Sequence, residues 1–314
     1  MSRARVAVAL SGVALVLALV LAALRVGEAP GKLSDWQALI LGVTQGATEL
    51  LPISSSGHLI LVPWAAGWRY LEDHPDFNKT FDVALHLGTL VAVIIYFWND
   101  VARLVGAWFA SLRRRQIRND DERVAWYVAV ATVPAAIAGA AGEDFIEKKL
   151  GNPWQIAILL AVLAVILWLA DRVAARRSID EIGWKGAVGV GLAQCLALMP
   201  GVSRSGITIT VGRLLRLDRD RAARFSFLLL IPIVFGASVL KGLKDIVFGA
   251  GLPSGSAGPF IVGMLAAAVV GLVAIWALLG YVRRHTYSLF VLYRLALAAA
   301  IIIVIAAGWR GKNF

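Results

Sequence analysis

Long apolar runs, broken at intervals by short polar clusters, dominate the chain. Val124–Gly142, Trp154–Ala170, Phe260–Gly280 and Tyr287–Gly308 are each long enough, as helices, to cross a bilayer. Leu85–Trp98 and Phe225–Leu240 predict two further spans with polar ends. Near the start, Arg3 and Arg5 precede an apolar stretch from Val6 to Leu24. That stretch exceeds the core of a signal peptide, about 7 to 15 residues, and lacks a small-x-small cleavage site. It predicts a retained anchor helix over residues 1–30. The remainder, 31–314, predicts one all-α polytopic membrane domain with about six full spans.

Two segments do not fit the pattern of full spans. Trp36–Trp68 and Trp184–Leu215 are apolar but carry a proline near the middle, Pro52 and Pro200. Each is too long for one span and too short for two. Each therefore predicts two half-helices in a re-entrant hairpin. The segments also resemble one another. WQALILGVTQGATELLPISSSGHL aligns with WKGAVGVGLAQCLALMPGVSRSGITI, pairing Trp36 with Trp184 and Pro52 with Pro200. One insertion near Gly201 then pairs Ser54 with Ser203, Ser56 with Ser205 and Gly57 with Gly206. Three spans separate the two segments, so the second copy is inverted. The prediction is an inverted-topology repeat, residues 34–172 and 182–309, with broken helices meeting inside the membrane.

Composition agrees: 59% of the 314 residues are hydrophobic and 16% charged, against about 25% charged in a soluble domain. The net charge of +11 would suit nucleic acid, but its distribution excludes that partner. Arginines crowd four loops, at 103–123, 172–177, 213–224 and 283–284, while the loops around Glu143–Gly151 and Gly249–Gly258 between them are acidic or nearly neutral. This is the positive-inside alternation of a multi-pass protein in a bilayer. It assigns the first hairpin to the outer face and the second to the inner face. The single cysteine, Cys195, excludes an internal disulfide. Trp98, Trp154, Trp184 and Trp309 fall at span ends, as interface anchors do.

The chemistry lies at the two breaks. Irregular backbone at membrane depth requires a polar or protein-lined cavity. Each second half-helix begins at Ser-x-Ser-Gly, where serines cap the free N–H groups and the helix dipole attracts an anion. Two such ends face to face predict a phosphate cradle. Arg204, in the second break, needs an anionic partner at that depth: a phosphate, a structural ion pair with Glu49, or each in turn. Gln45 and Glu49 are four residues apart and share a helical face. Ser55 and His58, three apart, converge with Glu49 and Arg204 as a hydrolytic constellation. Ser54, Ser56, Ser203, Ser205 and Thr208 complete the expected binding surface, with Gln194 placed to orient Arg204. Asp82 and His86 are expected at the cavity mouth, and Arg294 to snorkel to the cytoplasmic side.

LGVTQGATELLPISSSGHLIL and QCLALMPGVSRSGITIT resemble the two signatures of the undecaprenyl-diphosphate phosphatases, the bacitracin-resistance family. FDVALHLGTLVAVIIYFW and FSFLLLIPIVFGAS are also similar to family segments, and the resemblance runs from Trp36 to Gly308. It implies a bacterial cytoplasmic-membrane hydrolase that converts undecaprenyl diphosphate to undecaprenyl phosphate, the carrier for peptidoglycan synthesis. Its active site would open to the extracytoplasmic side. Glu49, Ser55, His58 and Arg204 fall on the positions it implies are catalytic, and Gln45, Ser54, Ser56, Ser203, Ser205 and Thr208 on those that bind substrate. Many members have Glu where this chain has Gln45, which weakens a metal site. A divalent cation, Mg or Ca, would use Glu49 first. Ser55 is the expected nucleophile, with Glu49 and His58 activating it; His58 as nucleophile or general acid is the alternative. A transporter of polyprenyl phosphate built on the same cavity is the competing function. The oligomeric state is not specified by these residues.

Overall fold

The computed structural model describes residues 32–241 and 256–311. The anchor helix expected over residues 1–30 and most of the Gly249–Gly258 connection lie outside them. The helices, in chain order, are α1 (Asp35–Glu49), α2 (Ser55–Ala66), a short α3 (Tyr70–Asp73), α4 (Pro75–Tyr96), α5 (Trp98–Arg114), α6 (Asp120–Lys149), α7 (Pro153–Ala170), α8 (Gly183–Leu196), α9 (Arg204–Leu214), α10 (Arg219–Lys241), α11 (Ala257–Val282) and α12 (Ser288–Ala306). Apart from one bridge between Arg177 and Leu217, no β pairing occurs among the described residues. Six of the helices, α4, α6, α7, α10, α11 and α12, are long and apolar enough to cross a bilayer. They coincide with the six windows read from the sequence, and the chain is a multi-pass membrane protein.

The hairpins are α1–α2 and α8–α9. With 15 and 12 residues, α1 and α2 extend only about 22 and 18 Å at 1.5 Å per residue, short of the ~30 Å hydrocarbon core. Both hairpins close in the same way. Gly67 ends α2 at φ 73° and Arg216 follows α9 at φ 71°, 149 positions on. Gly67 N–H donates to Trp64 O and Trp68 N–H to Pro63 O; Arg216 N–H donates to Arg213 O and Leu217 N–H to Gly212 O. The two copies thus share a backbone hydrogen-bond pattern at one constant offset.

Small residues let the helices around the hairpins approach closely. A Cβ on Gly42 of α1 would lie 2.3 Å from Gly263 O of α11, so the two backbones are in direct contact. Without a bulk-water driving force, such close packing is what holds membrane helices together.

The four arginine clusters are linked to one another: Arg224 and Arg103 both pair with Asp100. Arg283 pairs with Asp220, Asp220 with Arg224, and Arg221 donates to Arg177 O. In the same network, buried Asp171 accepts from Arg213 and Arg219 through Oδ1, at 3.2 and 2.7 Å, and from Tyr287 N–H through Oδ2. One carboxylate therefore ties the ends of α7, α9, α10 and α12.

One segment departs from the reading. Residues around Arg103–Arg115 were expected as loop but form α5, an amphipathic helix. Val101, Leu104, Val105, Trp108 and Leu112 recur with helical spacing, the arginines occupying the other side. Leu104 packs on Ala125 and Leu228, while Phe109 is 60% exposed. A helix with this division suits the membrane interface rather than its interior.

Candidate active site

The breaks form two tips that touch. Ser54 and Ser203 both have positive φ, 77° and 71°, a region that costs non-glycine residues energy. In that conformation each hydroxyl caps the helix after it: Ser54 Oγ accepts from Gly57 N–H at 3.3 Å and Ser203 Oγ from Gly206 N–H at 3.0 Å. The tips also bond across the repeat. Ser54 Oγ accepts from Gly201 N–H at 3.1 Å, and Ser205 Oγ donates to Leu51 O at 2.9 Å.

Arg294 of α12 secures both tips. It is fully buried, so it does not snorkel to the cytoplasmic side as its place in the sequence suggested. Its guanidinium donates to Pro52 O of the first tip, at 3.2 Å, and to Gly201 O and Val202 O of the second, at 3.0 and 3.2 Å. Nε donates to Leu160 O of α7. Turns deprive the carbonyls of Pro52, Gly201 and Val202 of helical partners, and a cation with five donors replaces those partners.

Glu49, at the end of α1, is the centre of the polar cluster. Its Oε1 accepts from Arg204 Nη2 at 2.8 Å. Its Oε2 accepts from Ser55 Oγ and, at 3.3 Å, from Gln45 Nε2. His86 Nε2 lies 3.6 Å from the same oxygen. Arg204 is the first residue of α9, where its charge opposes the helix dipole; the Glu49 carboxylate offsets that. A second bond, Nη1 to Ser226 O of α10 at 3.1 Å, fixes the guanidinium plane. The ion pair anticipated as one state of Arg204 is the arrangement observed.

The remaining expected residues divide. His58 belongs to the same tip, but its Nδ1 is 2.6 Å from Ser54 O and its Nε2 is 2.7 Å from Tyr293 OH. Since the carbonyl only accepts, Nδ1 carries the proton and Nε2 accepts from Tyr293. His58 is thus bonded to neither Ser55 nor Glu49. Ser203 Oγ and Ser205 Oγ are 3.2 Å apart inside the second tip. Ser56 is half-buried beside Ser55. Thr208 is buried; its Oγ1 donates to Arg204 O and lies 2.7 Å from Ser226 Oγ, so it braces the start of α9. Gln194 does not reach Arg204: its Nε2 donates to Ala131 O of α6 at 2.7 Å. His86 is closer to the centre than its expected place at the cavity mouth. Ser226 and Tyr293 were not singled out in the sequence, because a serine or tyrosine within a long apolar helix does not show which neighbouring helix it faces.

The geometry brings together the two motifs that carry the family resemblance. A family model described as bacitracin resistance protein BacA matches residues 38–300, which include both tips, five of the six spans and most of the sixth. The chain belongs to the BacA family. Curated relatives agree along nearly their whole length. The undecaprenyl-diphosphatase of Moorella thermoacetica is 48% identical over 270 residues, 85% of this chain and 97% of the relative. Those of Thermomicrobium roseum and Nocardioides sp. are each 44% identical, covering 86% and 87% of this chain and 98% and 97% of the relatives. For a BacA protein, the hairpin tips and α12 are thus part of the shared body, and Gln45–Glu49, Ser54–His58 and Ser203–Thr208 all lie inside it.

Proposed function

We propose that this chain is an integral membrane phosphatase that hydrolyses undecaprenyl diphosphate to undecaprenyl phosphate and inorganic phosphate. It would work at the extracytoplasmic side of a bacterial cytoplasmic membrane, with its hairpins dipping in from opposite faces. Its product would return to peptidoglycan synthesis, and bacitracin resistance would follow from that recycling. The observation that carries the reading is the bond from Ser55 Oγ to Glu49 Oε2, made while Arg204 holds Glu49 Oε1 from the other tip.

The mechanism follows from these contacts. The terminal phosphate takes the place of the Glu49 carboxylate on Arg204, whose planar fork suits phosphate oxygens. The N-termini of α2 and α9 add N–H groups and dipole at the same point. Ser55 Oγ then attacks phosphorus while its proton passes to Glu49. The Oγ–P bond forms, the anhydride P–O bond breaks, and undecaprenyl phosphate leaves with the bridging oxygen and takes the proton from Glu49. Water attacks the phosphoserine, one of its protons returns to Ser55 Oγ by way of Glu49, and inorganic phosphate departs. His58 keeps the first tip in shape, because both its ring nitrogens are engaged away from Ser55.

A divalent cation fits as part of the substrate complex. Gln45 Oε1 is a buried acceptor with no partner, and Glu49 is beside it. Mg²⁺ is often bound by one or two protein oxygens together with substrate phosphates. Glu49 and Gln45 would hold Mg or Ca, which supplies charge neutralisation of the diphosphate when bound. Among the described residues no group of three or more His, Cys, Asp or Glu side chains gathers to hold such an ion alone.

Purified full-length protein in detergent, given undecaprenyl diphosphate, tests the reading. Release of free phosphate with Mg or Ca present is the expected result. No release under any divalent ion, with folded protein, would overturn it.

A further inference from the structure

A cavity of about 780 Å³ opens between α2 and α12. That is within the range of about 300–1,000 Å³ for small-molecule pockets. On α2 it is lined by Leu61 and Val62, and on α12 by Ala296, Leu297, Ala300 and Ile301. These positions recur at helical spacing, so each helix contributes one continuous apolar stripe. Ala298 and Ile301 of α12 pack on Ile156 and Leu160 of α7, as do Leu61 and Trp64 of α2. Both helices therefore rest on α7, and the alanines at 296 and 300 leave the space between them unfilled.

Polar groups occur only at the two ends. At one, Tyr293 OH meets His58 Nε2 at 2.7 Å. At the other, Arg310 donates to Ala65 O, at 3.1 Å from Nη2, and Trp64 Nε1 donates to Gly311 O at 3.1 Å. From Tyr293 to Val304 the cleft follows α12 for about 16 Å at 1.5 Å per residue. A diphosphate would lose its hydrogen bonds to water along the apolar middle and find no replacement there.

We propose that this cleft binds the first isoprene units of the polyprenyl chain of the substrate, on the phosphatase reading given above. The occupant must be a hydrocarbon, and it must be attached to a group that reaches Ser55, one turn from His58 at the cleft's inner end. The tail of the site's own lipid diphosphate meets both conditions. Tyr293 and His58 form the boundary at which the tail gives way to the head group.

The test uses the full-length protein in phosphatidylcholine nanodiscs and a polyprenyl diphosphate carrying a diazirine on its hydrocarbon. Label on the peptides holding Leu61–Val62 and Ala296–Ile301, displaced by unlabelled undecaprenyl diphosphate, is expected. Label elsewhere would overturn the proposal. So would equal, undisplaced label from a diazirine phosphatidylcholine, which would make the cleft a groove for bulk lipid. In turnover, Ala300→Phe should lower the ratio of kcat/KM for the C55 substrate to that for a C15 diphosphate at least tenfold. Ile303→Phe, on the 65% exposed side of α12, should leave that ratio alone. An unchanged ratio in folded Ala300→Phe would sink the tail site. Should Ala300→Phe fail to insert, the labelling of the unaltered chain still decides. Displaceable label in the cleft without phosphate release from any substrate would keep the lipid site and remove the phosphatase reading.

Discussion

Ser54 and Ser203 hold the same strained backbone conformation, φ 77° and 71°, and each caps the half-helix that follows it. They differ in what else they bond. Ser54 Oγ also accepts from Gly201 N–H of the opposite tip, whereas Ser203 Oγ meets only Ser205 within its own. Removing a cap costs about 1 kcal/mol, and leaving a buried donor unpaired costs about 1–3 kcal/mol more. Ser54→Ala should therefore lower thermal stability in detergent more than Ser203→Ala does. Equal losses would mean that the cross-tip bond contributes nothing.

Ser55→Ala removes the attacking oxygen and little else, since the side chain is half-buried and its one bond is to Glu49. Phosphate release from undecaprenyl diphosphate should fall below about one thousandth of wild type, with the melting profile intact. Near-normal turnover would remove Ser55 as nucleophile and move His58 into that role.

Glu49→Gln keeps the shape but cannot take the Ser55 proton or balance Arg204. We expect a fall in kcat of about 10²–10⁴, the range for losing a general base. A rise in KM alone, from initial rates across substrate concentration, would assign Glu49 to binding instead.

Arg204→Lys preserves charge and loses the fork that spans Glu49 and Ser226 O. The kcat/KM should drop by about 10- to 100-fold, equivalent to about 1.4–2.8 kcal/mol. Wild-type rates in this variant would make the arginine purely structural.

Arg294→Met should do more damage to stability than any of these. It leaves the carbonyls of Pro52, Gly201 and Val202 without the donor they share. At about 1–3 kcal/mol for each unsatisfied buried group, the loss approaches the whole stability of a typical domain. Loss of the folded band in size-exclusion chromatography is expected; a monodisperse, active variant would contradict this account.

The spans and hairpins were legible in the sequence because length, charge alternation and Ser-x-Ser-Gly after a proline each carry a direct physical meaning. The Glu49–Ser55–Arg204 grouping was legible for a related reason: three ionisable or nucleophilic residues in apolar surroundings had to face one another. Arg294 was misread because a long cation near a span end has two solutions, snorkelling or burial against carbonyls. Only the positions of the tips decide between them. α5 was missed because an arginine-rich stretch looks like loop unless its apolar positions are counted at helical spacing. His86 was placed only at the cavity mouth, and Ser226 and Tyr293 not at all, since their partners are more than 35 positions away along the chain or, for Ser226, on another helix.

Arg294 follows Pro52 by 242 positions and Val202 by 92. A ribosome making this protein has inserted both hairpins well before the guanidinium that joins them emerges. Until then the tips are held to each other only by Ser54 Oγ with Gly201 N–H and Ser205 Oγ with Leu51 O, and the carbonyls of Pro52, Gly201 and Val202 lack their shared donor. Nascent chains arrested before and after residue 294 should differ in protease resistance at the tips, with order arriving only as the last helix enters.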